Sequence, residues 1–251
     1  AVISGIEIAA KSNPNIKFII NGDKAQLEKL VGNRKNLNKI CEIRHSPDVI
    51  SMNDKPSHAM RHGKNSSMWG TIDAVKDKDA DAAVSCGNTG ALMAISMIRL
   101  RKLPGVYRPA IAILWPSASE LGFNFMLAVG ADIRADAPDL LKYALMGASY
   151  ARNGFGLKRP RVGLLNVGTE EHKGRSELKE AHELISESTE HGEYEYVGFV
   201  EGNDIPSDRV DVIVTDGFTG NIALKTGEGT ASMIAAAMRE SFKATLLSRL
   251  G

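Results

Sequence analysis

Arg161-Val162-Gly163-Leu164-Leu165-Asn166-Val167 is an almost unbroken apolar run, and it decides the fold. A strand covered on both faces reads in this continuous way, whereas a half-exposed strand alternates. After a short polar loop, Glu177 to Glu190 carries Leu178, Ala181, Leu184 and Ile185 at helical spacing and stops before Gly192. A second apolar run, Tyr194 to Val200, follows. Upstream, Asp136 to Asn153 has Pro138 in its first turn and places Leu141, Ala144, Leu145 and Ala148 on one helical face. Downstream, the run Val210 to Thr215 leads into a long helical pattern ending near Leu250. Shorter runs at Ile16 to Asn21, Ala80 to Ser85 and Ala110 to Leu114 complete the strand set. Strands alternating with helices predict a three-layer α/β fold, a mostly parallel sheet with helices on both faces. No internal repeat or Pro/Ser-rich linker interrupts it, so residues 1–251 read as a single domain.

Composition narrows the class. Hydrophobic residues make up 43% and charged residues 24%, ordinary globular values. The net charge of +1 provides no broad basic field for nucleic acid. Two cysteines, Cys41 and Cys86, fit a reducing compartment better than a disulfide scaffold, so a cytoplasmic location is expected. No apolar run reaches the roughly 18 residues that span a bilayer. The chain opens Ala1-Val2-Ile3 without Met and reads as a piece of a longer protein.

In an open α/β sheet, ligands bind at the carboxyl ends of strands. Ser85-Cys86-Gly87-Asn88-Thr89-Gly90 leaves an expected strand and enters a helix, Leu92 to Leu100. Glycines admit close backbone approach, and helix-terminal amides with Ser85, Asn88 and Thr89 suit a phosphate; a capped tight turn explains the same residues equally well. Asn166-Val167-Gly168-Thr169-Glu170-Glu171-His172-Lys173 follows another strand, and Lys173 could set a point charge on a phosphate or an oxyanion. Asp216-Gly217-Phe218-Thr219-Gly220-Asn221 leaves the last strand, where the plainer reading is an N-cap with a type II turn. Lys64-Asn65-Ser66-Ser67 pairs a cation with two capping hydroxyls ahead of a helix, compatible with anion binding.

Other chemistries lack their motifs. There is no G-x-x-x-x-G-K-[ST], no complete G-x-G-x-x-G after a strand and no G-x-S-x-G elbow. His58 and His62 could share a helix face, but no Cys or carboxylate pattern completes a metal site, so no metal or other cofactor is expected. Cys86 has no histidine near it in sequence and reads as a small residue rather than a nucleophile.

Four segments in register, Lys64-Asn65-Ser66-Ser67-Met68, Ser85-Cys86-Gly87-Asn88-Thr89-Gly90-Ala91-Leu92, Gly163 to Glu170 and Thr215-Asp216-Gly217-Phe218-Thr219-Gly220-Asn221, closely resemble the phosphate acyltransferase family PlsX. The resemblance runs over essentially the whole chain. It implies a fold like that of phosphotransacetylases and isocitrate dehydrogenases, a homodimer, and transfer of a fatty-acyl group from acyl carrier protein to inorganic phosphate. The acyl phosphate would then feed a membrane glycerol-3-phosphate acyltransferase in bacterial phospholipid synthesis. On this reading Lys173, Asn221 and Asp216 are the catalytic candidates. Lys64, Asn65, Ser66, Ser85, Gly87, Asn88, Thr89, Gly90, Asn166, Gly168, Gly217, Thr219 and Gly220 are the candidates for holding phosphate and substrate.

The sequence departs from the family's pattern in places. Its first strand with a Met-Gly-Gly-Asp loop and its C-terminal glycine-rich loops are not among these residues. Where the family commonly shows Leu-Asp-x-Gly-Ala-Asn, this chain reads Leu127-Ala128-Val129-Gly130-Ala131-Asp132, so no acidic role carries over to Ala128. Two other readings stand beside the first: phosphotransacetylation of a short acyl-CoA, and a degenerate module that binds carrier protein or membrane. Arg99, Arg101, Lys102 and Arg108 are a candidate landing patch for acidic carrier protein, or simply a solvated basic face. Ile234, Met238, Phe242, Thr245 and Leu246 recur at helical steps on the last helix; its first turns are expected to be buried, and the distal Phe242, Leu246, Leu247 and Leu250 to meet a second subunit or a lipid surface.

Overall fold

The computed structural model describes residues 2–34, 36–106, 109–130, 133–170 and 172–243. Where the sequence pattern draws one domain, the chain divides into two compact units, residues 1–109 and 110–251.

The first unit holds helices α1 (Val2–Ser12), α2 (Lys24–Gly32), α3 (Pro56–His62), α4 (Ser67–Lys76) and α5 (Thr89–Arg99), with strands β1 (Phe18–Gly22) and β2 (Cys41–His45). The two strands pair in parallel, from Phe18 opposite Cys41 to Gly22 opposite His45. Ile3, Ile20, Val31 and Leu37 form one small core, and Ile50, Ala59, Met68, Trp69, Ile72, Ala91 and Ile95 form another among α3, α4 and α5. Short polar residues start the helices. The Asp23 carboxylate accepts from the Gln26 amide at 2.8 Å, and the Ser66 hydroxyl accepts from the Trp69 amide at 3.3 Å.

The strand predicted over 80–85 is absent, and Val84 is 85% exposed. Four of those six residues are apolar, but three are alanines, which bury little surface and favour strands weakly. A strand also needs a neighbour for its amides, and no described segment supplies one there.

The second unit contains a five-stranded sheet in the order β3 (Ala112–Pro116), β4 (Phe123–Leu127), β7 (Val212–Val214), β5 (Arg161–Leu165), β6 (Glu195–Val200). β3 runs antiparallel to β4, and every other neighbouring pair is parallel. Around it lie α6 (Ala137–Phe155), α7 (Ser176–Glu187), the single turn α8 (Thr189–Gly192) and α9 (Gly217–Lys243).

Alternation along the strands builds two cores. Phe125, Leu127, Val162, Leu164, Val212 and Val214 meet α6 and α7 on one face. Met126, Leu165, Val200 and Ile213 face the other way, where Ala223 and Leu224 of α9 and Trp115 pack. The helical stripe of α6 is turned from the predicted one. Leu140, Tyr143, Ala144 and Ala148 are fully buried, while Leu141 and Leu145 are only partly covered. Gly147 sets that rotation, since a Cβ there would lie 2.5 Å from Val212 and 2.9 Å from Leu127. Each fully buried Leu or Ile contributes about 1.5–3 kcal/mol.

Candidate active site

β4, β7 and β5 are adjacent and parallel, so their carboxyl ends open at one edge of the sheet. The segments Ala128–Gly130, Thr215–Asn221 and Asn166–Arg175 meet there. The Thr215 amide donates to the Leu127 carbonyl at 2.8 Å, and the Gly130 amide to the Gly217 carbonyl at 3.0 Å.

Asp216 is the centre of this edge. It is only 2% exposed, yet it carries a carboxylate. Oδ1 accepts from the Thr219 amide at 2.8 Å, and Oδ2 accepts from the Thr219 hydroxyl at 3.0 Å and from Nη2 of Arg175. A buried carboxylate is tolerated when it is paired and hydrogen-bonded in this way. It also caps α9: the Gly220 amide donates to the Asp216 carbonyl at 3.0 Å. The amides of Thr219 and Gly220, candidates for holding phosphate, are therefore already engaged within the chain. Gly220 is needed for close approach, because a Cβ there would lie 2.8 Å from Thr215 and 3.5 Å from the Ala128 carbonyl. Asn221 is exposed beside Gly130, and its side chain makes no hydrogen bond among the described residues. Ala128 is fully buried, so an acidic group at that position would lie in the interior.

Lys173 is held in its own loop. Its ammonium lies 2.7 Å from the Glu170 carboxylate. That hydrogen bond keeps Lys173 above its ordinary value and Glu170 below the usual carboxylate range. The loop folds back because the Lys173 amide donates to the Glu170 carbonyl at 3.0 Å and the Asn166 side-chain amide donates to the Lys173 carbonyl at 3.1 Å. Gly168 lies beneath the Lys173 side chain. Gly174 turns the chain at φ +89°, and a Cβ there would sit 2.2 Å from Asn166 Oδ1. Asn166 is 7% exposed, and its Oδ1 has no partner among the described residues.

In the first unit the Ser85–Gly90 loop packs against Met68 and Pro56. The Ser85 hydroxyl accepts from the Gly87 amide at 3.2 Å. Asn88 is spent on structure. Its carbonyl oxygen accepts from the Ala91 amide at 3.0 Å, and its Nδ2 lies within 2.9–3.2 Å of the carbonyls of Ser51, Met52 and Asp54. Thr89 is exposed and Gly87 half-buried, and the amides of Thr89 and Gly90 make no hydrogen bond among the described residues. Lys64, Asn65 and Ser66 border a cleft of about 420 Å³ at the carboxyl ends of β1 and β2, with Arg44 and His45 on its wall. Ser66 is a buried cap whose hydroxyl donates to the Gly63 carbonyl at 2.6 Å. Arg99, a landing-patch candidate, is tied to Asp73 at 2.5 Å and lies over the Trp69 ring. Arg108 lies outside the described residues. Among the described residues, no group of His, Cys, Asp and Glu is placed to hold a metal ion, and no helix is long and apolar enough to cross a membrane.

Arg175 is the site residue that sequence reasoning missed. It stands at the N-cap position of α7, without capping through its side chain, and reaches Asp216 across 41 residues of sequence. A basic residue after Lys173-Gly174, where a short polar cap is usual, was the available signal.

The four segments set in these loops point to one family, and a family model described as "Fatty acid synthesis protein" matches residues 1–251. A phosphate acyltransferase of Jannaschia sp. (strain CCS1) is 66% identical over 250 residues, covering 100% of this chain and 68% of that protein. One from Cereibacter sphaeroides (strain ATCC 17025 / ATH 2.4.3) is 64% identical with the same coverage. The chain belongs to this phosphate acyltransferase family. Another relative so named, from Paracoccus denitrificans (strain Pd 1222), is 63% identical over 99% of this chain and 67% of its own length. Among solved structures, a phosphotransacetylase from Streptococcus pyogenes superposes with TM-score 0.64 at 15% identity, covering 90% of this chain and 77% of that one. The EutD phosphotransacetylase from Staphylococcus aureus gives 0.56 at 15% identity, covering 87% and 83%. At that identity these two speak for the fold, which is the expected phosphotransacetylase-like α/β architecture of the acyltransferase family.

Proposed function

We propose that the protein transfers a fatty-acyl group from the thioester of acyl carrier protein to inorganic phosphate, supplying acyl phosphate for phospholipid synthesis. The observation that carries this reading is the 62–66% identity to phosphate acyltransferases across 99–100% of the chain. It also favours fatty-acyl transfer to phosphate over the short acyl-CoA and degenerate-module alternatives.

Hydrogen phosphate is the nucleophile. One of its oxygens forms a bond to the thioester carbonyl carbon and gives a tetrahedral oxyanion. The C–S bond then breaks, and the phosphate proton ends on the departing carrier thiol, leaving acyl phosphate. No enzyme nucleophile is required, so the protein's work is to desolvate and aim phosphate and to stabilise the oxyanion. Lys173 and the exposed Asn221 amide are suited to the oxyanion. Removing one such donor typically costs about 2.7–4 kcal/mol of the barrier. We assign the protein to the cytoplasm as a homodimer. The distal part of α9 would supply its dimer contact and reversible contact with lipid, which brings acyl phosphate to a membrane glycerol-3-phosphate acyltransferase.

The test follows thioester loss from long-chain acyl carrier protein and traps acyl phosphate with hydroxylamine. Both signals should require phosphate and persist with chelator present. Equal thioester loss without phosphate, or turnover confined to acetyl-CoA, would overturn the reading.

A further inference from the structure

Three other arginines of the second unit show what a structural arginine looks like here. Arg161 places Nε 3.1 Å from Asp211 Oδ2, Nη2 2.8 Å from Oδ1, and Nη1 2.6 Å from the Asp208 carbonyl. Arg209 divides its two terminal nitrogens between Asp204 and the Phe199 carbonyl. Arg152 spreads its own over Gly192 and Glu193. In each, the guanidinium fork is occupied through at least two nitrogens.

Arg175 differs. It bonds Asp216 through Nη2 alone, and Nε and Nη1 make no hydrogen bond among the described residues. Its side chain is 59% exposed, whereas that of Asp216 is 3% exposed. The carboxylate is fixed from below by two bonds to Thr219, so it cannot follow the guanidinium. Arg175 is thus anchored at one corner, with most of a planar five-donor fork open at the carboxyl edge where ligands of such sheets bind. That fork matches the oxygens of a phosphate. Arg159 also pairs through Nη2 alone, but with the exposed Glu190, whereas Arg175 is held by a buried carboxylate at the sheet's carboxyl edge.

We propose that Arg175 binds the inorganic phosphate of the transfer reaction and that Asp216 is the positioning residue that aims it. The proposal rests on the acyltransferase reading above and identifies a group that recognises its nucleophile. Asp216 also keeps the local charge balanced, so the edge admits a dianion without collecting excess positive charge before phosphate arrives.

Two measurements test it. In steady-state kinetics with each substrate varied, Arg175→Gln should raise KM for phosphate by roughly ten- to a hundredfold, the scale of losing a charged hydrogen bond. KM for acyl carrier protein thioester should stay within about twofold under the same principle. Arg175→Lys should recover only part of the loss, since a point charge lacks the fork. Asp216→Asn, which can still cap α9, should raise KM for phosphate in the same direction. Separately, titration of the protein with inorganic phosphate, without acyl donor, should show weaker binding in Arg175→Gln. If wild type transfers to phosphate while Arg175→Gln keeps its phosphate KM and binding, the proposal falls and the reaction stands. If wild type shows no transfer but loses phosphate binding on Arg175→Gln, the site stands and the reaction falls. A lower melting temperature with unchanged phosphate KM would make the pair structural only and would also overturn the proposal.

Discussion

The Lys173 ammonium and the Glu170 carboxylate, three residues apart in one loop, lie 2.7 Å from each other. The lysine picked out by sequence is therefore steered by a partner rather than free. Each group holds the other in its charged form: Lys173 stays above its ordinary value and Glu170 below its own. Both remain ionised across about pH 6 to 9, so any bell-shaped profile there must come from other groups. Lys173→Ala should lower kcat roughly ten- to a thousandfold, the scale for losing an electrostatic stabiliser. Glu170→Gln leaves the Lys173 ammonium in place but loosens its aim, and should cost less than Lys173→Ala. Near-wild-type kcat in Lys173→Ala would remove the residue from the mechanism.

Asn88 yields a prediction about stability. It caps α5 and reaches the carbonyls of Ser51, Met52 and Asp54, so Asn88→Ala loses a cap and leaves those carbonyls with fewer donors. A loss of about 2 kcal/mol is expected, combining a typical cap with one net hydrogen bond. Asn88→Asp keeps the cap but removes the Nδ2 donor, and should fall between Ala and wild type in denaturant melts. An unchanged midpoint in Asn88→Ala would return the side chain to the substrate.

The sequence was legible where burial is two-sided. β5, β6 and β7 read as apolar runs, and α6 and α7 read as amphipathic segments, because a covered element must be apolar wherever it is covered. Cys41–His45, which forms β2, was not legible: Glu42 and Arg44 hide a strand that is only half covered. β4 was missed because Asn124 interrupts it; that side chain is fully buried and donates to the carbonyls of Ile205 and Ser207 at 2.9 and 2.8 Å. At the site, local motifs marked Asp216 and Lys173. The Arg175–Asp216 pair spans two loops, and only the parallel pairing of β5 with β7 brings it together.

Tyr194 carries the pH prediction. Its ring is fully buried, its hydroxyl donates to the Ile185 carbonyl at 2.6 Å, and burial pushes its pKa up to about 12. The folded value lies above the unfolded one of about 10. Its contribution is therefore complete below about pH 10 and is lost as pH rises towards and through about 12. Denaturant midpoints measured from pH 8 upward should decline along this limb. Tyr194→Phe should be less stable at neutral pH and show a flatter alkaline decline. A limb unchanged in the Phe variant would assign it to other groups.

The last prediction concerns α9. Its 27 residues span roughly 40 Å at 1.5 Å per residue. Ala223 and Leu224 join the core beneath the sheet, and Gly227 lies against the Trp115 ring. Beyond that point the apolar residues turn outward: Met233 is 66% exposed, Ile234 51%, Met238 52% and Phe242 59%. Ile234, Met238 and Phe242 recur every four residues, and with Met233 and Ala237 they line an open groove of about 420 Å³. Leu246 and Leu250, which would extend the stripe, lie outside the described residues. A contiguous apolar stripe on a long helix marks an interaction surface more than a scatter of single residues does. A second copy of the chain is its proposed occupant, because like stripes can bury one another around a two-fold axis. Replacing Ile234, Met238 and Phe242 together with Ser should weaken the dimer at least about a hundredfold in sedimentation, since each buried side chain is worth about 1.5–3 kcal/mol. The monomer should keep its circular dichroism, as these positions lie away from the two sheet cores. Loss of liposome co-sedimentation with an intact dimer would move the occupant to lipid. If association and lipid binding both stay unchanged, neither partner is bound there.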